Sequence, residues 1–208
     1  MAAADYHFED RWRVRADVHE VADILSDAAD ACRWWPSTYL DIQVLHPGDA
    51  RFIGQTGCVQ AKGWLPYTVA FIYKVVENNY PHGFVIDSRG DLTGRGVWQM
   101  AQDGPWVDVR FTWDVRAGKP MLWRYSAVFR PLFRSNHVWT MCKGEQSLGL
   151  ELARRRAGSE VERAAVPAPP GPIPSGPAGC FIGLADLLAQ TLRAWLARAV
   201  RSSAAPHP

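Results

Sequence analysis

The stretch FRPLFRSNHVWTMCKGEQSLGLEL, Phe129–Leu152, decides how the rest of the chain is read. Phe133, His137, Met141, Gly144, Leu148 and Leu152 recur at spacings of three and four, which on a helix puts them along one stripe. Pro131 falls where the first turn of a helix tolerates a missing N–H. The stretch therefore predicts one long helix with an apolar stripe that must be covered. Asn136-His137 is the anomaly: a polar pair inside the run, with the histidine on the stripe itself.

Almost everything upstream reads as sheet. Tyr6, Phe8, Trp12 and Val14 alternate along a first strand, broken at Glu9-Asp10. Asp17 with Glu20 three residues on is an acidic variant of the capping box, followed by helical spacing from Val18 to about Ala29. Residues 30–33 suit a short second helical turn, and Pro36 after Trp34-Trp35 enforces an extended break. From Tyr39 the period switches to two, predicting strands over 39–45, 56–62, 67–78, 83–89, 94–102 and 106–116. The connections are turn chemistry, as at His46-Pro47-Gly48-Asp49 and Asp103-Gly104-Pro105, so neighbouring strands are antiparallel. Val107, Val109, Phe111, Trp113 and Val115 alternate with Asp108, Arg110, Thr112 and Asp114, as on a sheet covered on one side. The stretch 67–76 is apolar at nearly every position, which predicts a central strand or one covered on both faces.

Composition narrows the class. With 48% hydrophobic and 21% charged residues over 208, the chain is an ordinary globular domain with additions. A net charge of +2 is too weak to point to nucleic acid. Cys32, Cys58, Cys142 and Cys180 have no ligand-like spacing, so neither a disulfide framework nor a metal site is indicated, and nothing calls for a cofactor. No secretory pattern opens the sequence and no apolar run approaches a membrane span, so the expectation is a cytoplasmic protein. Ten tryptophans are an excess that serves either a core or an aromatic-lined pocket.

The order of a strand, two short helices, a run of strands and one long helix resembles the helix-grip fold of the Bet v 1/START-like superfamily. It is most similar to bacterial polyketide cyclase/dehydrase and lipid-transport-like (SRPBCC) proteins. The residues that carry the resemblance are Trp34-Trp35-Pro36, Lys62 to Tyr67 (KGWLPY), Gly90 to Trp98 (GDLTGRGVW) and Arg134 to Glu145 (RSNHVWTMCKGE), within a match from Tyr6 to Arg156. The resemblance implies an α+β domain in which a curved antiparallel sheet of about seven strands wraps one long helix. It also implies a hydrophobic cavity between the two, but its members share no single reaction.

The expected function is binding of a hydrophobic or aromatic small molecule (lipid, polyketide or isoprenoid-like) in that cavity. The alternative is a cyclase- or dehydratase-like enzyme using His137 with Asn136 or Arg95. Trp34-Trp35 reads either as a lid stacking on a flat ligand or as a pin fixing the loop to the core. Arg95, on a GDLTGRG hairpin that lacks the P-loop lysine, reads either as a carboxylate partner or as a solvated hairpin residue. His137 reads as a general base or ligand donor, and Asn136 as an orienting group or a cap for a neighbouring strand's backbone; both also read as residues that satisfy buried polar groups and fix the helix against the sheet. Trp64, Trp98, Phe111, Trp113, Phe133 and Met141 complete the candidate lining.

The expected division is a ligand-binding domain over 1–157, a Pro/Ala/Gly-rich linker over 158–179, an amphipathic helix over 180–201 and a tail over 202–208. That last helix has three expected uses: packing on its own domain, packing on a second subunit, or lying on a membrane surface.

Overall fold

The computed structural model describes residues 4–117 and 126–174, together with Ile182, Ala185, Asp186, Leu188, Ala189 and Leu192. The chain opens with β1 (Ala4–Val14), α1 (Val18–Ser26) and α2 (Ala31–Trp34). Six strands follow: β2 (Tyr39–His46), β3 (Thr56–Lys62), β4 (Thr68–Asn78), β5 (Gly83–Gly90), β6 (Leu92–Asp103) and β7 (Trp106–Ala117). The long helix α3 (Ser126–Arg156) and a short helix α4 (Glu160–Ala165) complete the described elements.

The strands form one seven-stranded antiparallel sheet in the order β1-β7-β6-β5-β4-β3-β2. The meander explains most of that order, since short turns leave consecutive strands adjacent. The exception is β1, which pairs with β7 from Ala4 opposite Ala117 to Val14 opposite Val107. α3 crosses the inner face of the sheet, and the core gathers there: Trp12, Ile24, Trp35, Trp98, Val109 and Leu148 belong to one buried cluster joining β1, β6 and β7 to the helices.

Local chemistry fixes the helix ends. The Asp17–Glu20 capping box opens α1 as expected. α1 stops at Ser26 rather than Ala29, because the Asp27 carboxylate accepts the backbone N–H of Asp30 at 3.2 Å and offers the chain a turn in place of another helical bond. α3 starts before the expected Phe129, so Pro131 lies inside the helix, where it removes one i to i−4 bond. β4 is paired on both edges, but Ile72 is 47% exposed, so the sheet's outer face there is solvated and the strand is not covered on both faces.

The region expected to be wholly linker contains α4, capped by Ser159, whose Oγ accepts from the Glu162 N–H at 3.2 Å. Beyond it the chain runs back over the outer side of α3. The Pro167 carbonyl accepts from Arg154 at 3.0 Å, and Ile173 is buried against Trp64, Leu65 and Trp139. Most of the expected helix over 180–201 lies outside the described residues. Its Asp186 carboxylate accepts from Trp139 Nε1 at 2.8 Å and pairs with Lys143 at 2.7 Å, so the extension contacts its own domain. Among the described residues no helix is long and apolar enough to cross a membrane.

Candidate functional site

A cavity of about 160 Å³ lies between the inner face of the sheet and α3. Strand alternation supplies its floor: Tyr6 and Phe8 of β1, Phe71 of β4, Trp98 of β6, and Phe111, Trp113 and Val115 of β7 all point inward. α3 supplies the roof through Phe133, Asn136, His137, Thr140 and Met141. A second cavity of about 100 Å³ lies toward α1, α2 and β2, and Trp35, Tyr39, Phe71, Ile86 and Trp98 line both.

The polar equipment of the larger cavity is sparse and specific. His137 Nε2 is 2.6 Å from the Asp10 carboxylate, and the two side chains are only 10% and 15% exposed. Strand parity places Asp10 there, since it shares the inward face of β1 with Phe8 and Trp12 and stands opposite Phe111 in the β1–β7 register. A carboxylate oxygen accepts, so Nε2 is the donor of this contact and Nδ1 is the ring nitrogen left to meet another partner. The His137 ring stacks on Phe8 at 3.9 Å between centroids and lies 6.1 Å from that of Trp113. Packing therefore fixes its orientation.

Several residues that line the same space hold a buried donor with no hydrogen-bond partner among the described residues: the Tyr6 hydroxyl, the Thr38 hydroxyl, and the indole N–H groups of Trp35 and Trp113. Burial pushes the Tyr6 phenol above its ordinary value, against the opposing pull of Arg130 and Arg134, and pushes Tyr39 up to about 12. Both phenols therefore keep their protons near neutral pH. Lys62 reaches the cavity edge, where its ammonium donates to the Ile173 carbonyl at 2.7 Å.

Trp35, Trp98, Phe111, Trp113, Phe133, Asn136, His137 and Met141 come together around the cavity. Trp34 instead lines the smaller one. Trp34 and Trp35 are both buried and pack on each other at 5.4 Å between centroids, so they form a wall rather than an exposed lid. Gly144 admits the Trp35 ring: a Cβ there would stand 2.3 Å from it. Asn136 Oδ1 accepts the backbone N–H of Leu65 at 3.0 Å and so clamps the β3–β4 loop. Trp64 lies away from both cavities, under Ile173 and beside Trp139. Arg95 lies on the solvent face of the sheet, paired with Glu77 and, at 3.6 Å, with Asp87. Sequence reading missed Asp10, although a charged residue at an inward position of a strand was its signal.

No protein-family model matches the sequence, and no curated protein matches it. Solved structures do. An aromatase/cyclase from Streptomyces superposes with a TM-score of 0.60 at 15% identity, over 76% of this chain and 99% of that one. A START superfamily protein from Mycobacterium smegmatis gives 0.58 at 15% identity, over 70% and 96%. Norcoclaurine synthase from Thalictrum flavum, solved with dopamine and hydroxybenzaldehyde, gives 0.53 at 12% identity, over 76% and 91%. With the seven-stranded sheet wrapped on α3, these likenesses show that the chain has the helix-grip fold of START/Bet v 1-like proteins.

Proposed function

We propose that the protein binds a small, oxygen-bearing aromatic or alicyclic molecule in the cavity under α3. The observation that carries this reading is that residues walling an otherwise apolar cavity hold buried donors with no partner among the described residues: Tyr6 Oη, Thr38 Oγ1, Trp35 Nε1 and Trp113 Nε1. A buried donor left unmade costs about 1–3 kcal/mol, and a ligand that supplies an acceptor oxygen removes that cost for a side chain that turns toward it. Size narrows the class. A cavity of about 160 Å³ compares with the roughly 150 Å³ apolar cavity known to take benzene, so it suits one or two rings. A lipid or other long chain needs the smaller chamber as well. Two solved structures of this fold support the reading: one is an aromatase/cyclase, and the other was solved in complex with dopamine and hydroxybenzaldehyde.

Native mass spectrometry of the purified protein, followed by tryptophan-fluorescence titration with 2-tetralone, 1-naphthol, 4-hydroxybenzaldehyde and palmitate, tests this. The expected result is saturable binding of the oxygenated ring compounds in preference to palmitate. Tyr6→Phe is expected to weaken that binding several-fold while raising the stability of the ligand-free protein, because it deletes an unsatisfied buried hydroxyl. A protein that carries no small molecule and binds none of the four overturns the reading.

A further inference from the structure

The buried Asp10–His137 pair does more than binding requires. Taking an ionisable pair out of water gains little stability that well-packed apolar residues would not supply. Yet here the pair is held in one geometry by Phe8 beneath the imidazole and Asp10 at Nε2, on a strand and a helix rather than on loops. His137 lines the cavity, and its Nδ1 makes no hydrogen bond among the described residues. Neither Asn136 nor Arg95 is its working partner. Asn136 Oδ1 is engaged by the Leu65 N–H, and Arg95 faces solvent.

From this geometry we infer that Asp10–His137 is a proton-transfer site acting on a cyclic or aryl ketone or aldehyde that carries a C–H next to the carbonyl; the inference rests on the ligand site proposed above. His137 Nδ1 takes that proton. The C–H electron pair becomes a carbon–carbon π bond, and the carbonyl π pair moves onto oxygen. Tyr6 O–H or Trp113 N–H, donors that have no acceptor among the described residues, then donate to the enolate oxygen. The Asp10 carboxylate stabilises the imidazolium formed across the 2.6 Å contact. Return of the proton to the same carbon, or to a conjugated one, regenerates neutral His137 and releases the starting carbonyl or its isomer. The cycle balances without an oxidant, reductant or second substrate. In this scheme His137 is the catalytic residue, and Asp10 is the positioning residue that fixes its tautomer.

The test uses the full chain and 2-tetralone in D2O. Fluorescence titration establishes binding, and proton NMR at saturating ketone follows deuterium entry beside the carbonyl. Exchange is expected to run about 100-fold or more above that given by the same concentration of free imidazole. His137→Gln should lose this enhancement, and Asp10→Asn should lower it about tenfold. On the wild type, nitrogen NMR of the His137 ring should report Nε2–H, and Asp10→Asn should turn this into a mixture of tautomers, a change that a purely structural role does not require. Ketone that binds without accelerated exchange, exchange that survives His137→Gln, or an Nδ1–H tautomer in the wild type overturns the proton-transfer role and leaves the ligand site standing. A flat titration with every ring compound removes both.

Discussion

Glu151 is the most buried charged side chain among the described residues. It is 1% exposed, yet it is held by Arg33 through two contacts of 2.6 and 2.8 Å and by Arg155 at 2.8 Å. Burial pushes its carboxyl up, but the guanidinium groups of Arg33 and Arg155 outweigh that and hold it down at about 2. A carboxyl depressed from 4.5 stabilises the fold fully above about pH 4.5, and that contribution is lost as pH falls toward 2. Urea midpoints are therefore expected to drop over that window, and Glu151→Gln should flatten the drop. At pH 7 the same substitution should cost about 1–3 kcal/mol, since it takes the charged acceptor from Arg33 and Arg155, which keep only Asp30. The residue scale is also where sequence reading reached its limit. The position of His137 on the stripe was legible from spacing alone. Its partner was not, because Asp10 lies 127 positions away and no local rule joins them. Arg95 was separable in principle: it sits three residues from Trp98 on one strand, so the two point to opposite faces.

At the scale of the element, α3 carries two glycines with opposite expectations. Gly144→Ala drives a methyl to within 2.3 Å of the Trp35 ring, and Trp35 is itself held by Trp12 and Tyr39 at 5.5 and 5.2 Å between centroids. The clash should outweigh the gain in helix propensity and destabilise by about 1–3 kcal/mol. Gly149→Ala meets nothing within 4 Å and should stabilise by about 0.5–1 kcal/mol. Thermal unfolding of both variants checks the pair. The apolar stripe from Phe133 to Leu152 was the most readable element, because it is one face of one helix packing on one sheet. What the stripe concealed is a second buried face: Trp139 is covered by Ile173 and bonded to Asp186. α4 went unread because the surrounding Pro/Ala composition suggested linker, although Ser159 followed by Glu162 is a helix-start signature.

Considered whole, the molecule is a sheet gripping a helix, with a returning segment laid over the helix's outer side. Ile173, on the inner side of that segment, is 7% exposed, and its carbonyl holds Lys62 at the cavity edge. Ile173→Ala is expected to cost about 2–4 kcal/mol and to speed backbone hydrogen exchange in the 63–67 loop and the first half of α3, measured by mass spectrometry. The α+β class and the seven-strand count were legible because the turns are local, whereas the course of the returning segment depends on tertiary contacts that no periodicity records. The placement of β1 has its own consequence for synthesis. β1 finds its sheet partner only in 106–117, and its contacts with α3 reach further still, from the Arg13 N–H to Glu145 and from Asp10 to His137. The meander β2 to β7 can close on itself while β1 waits, and loop-closure entropy makes that late pairing slow. A chain stopped before α3 can therefore complete the sheet with Asp10 on its inner face, but it leaves that carboxylate without His137.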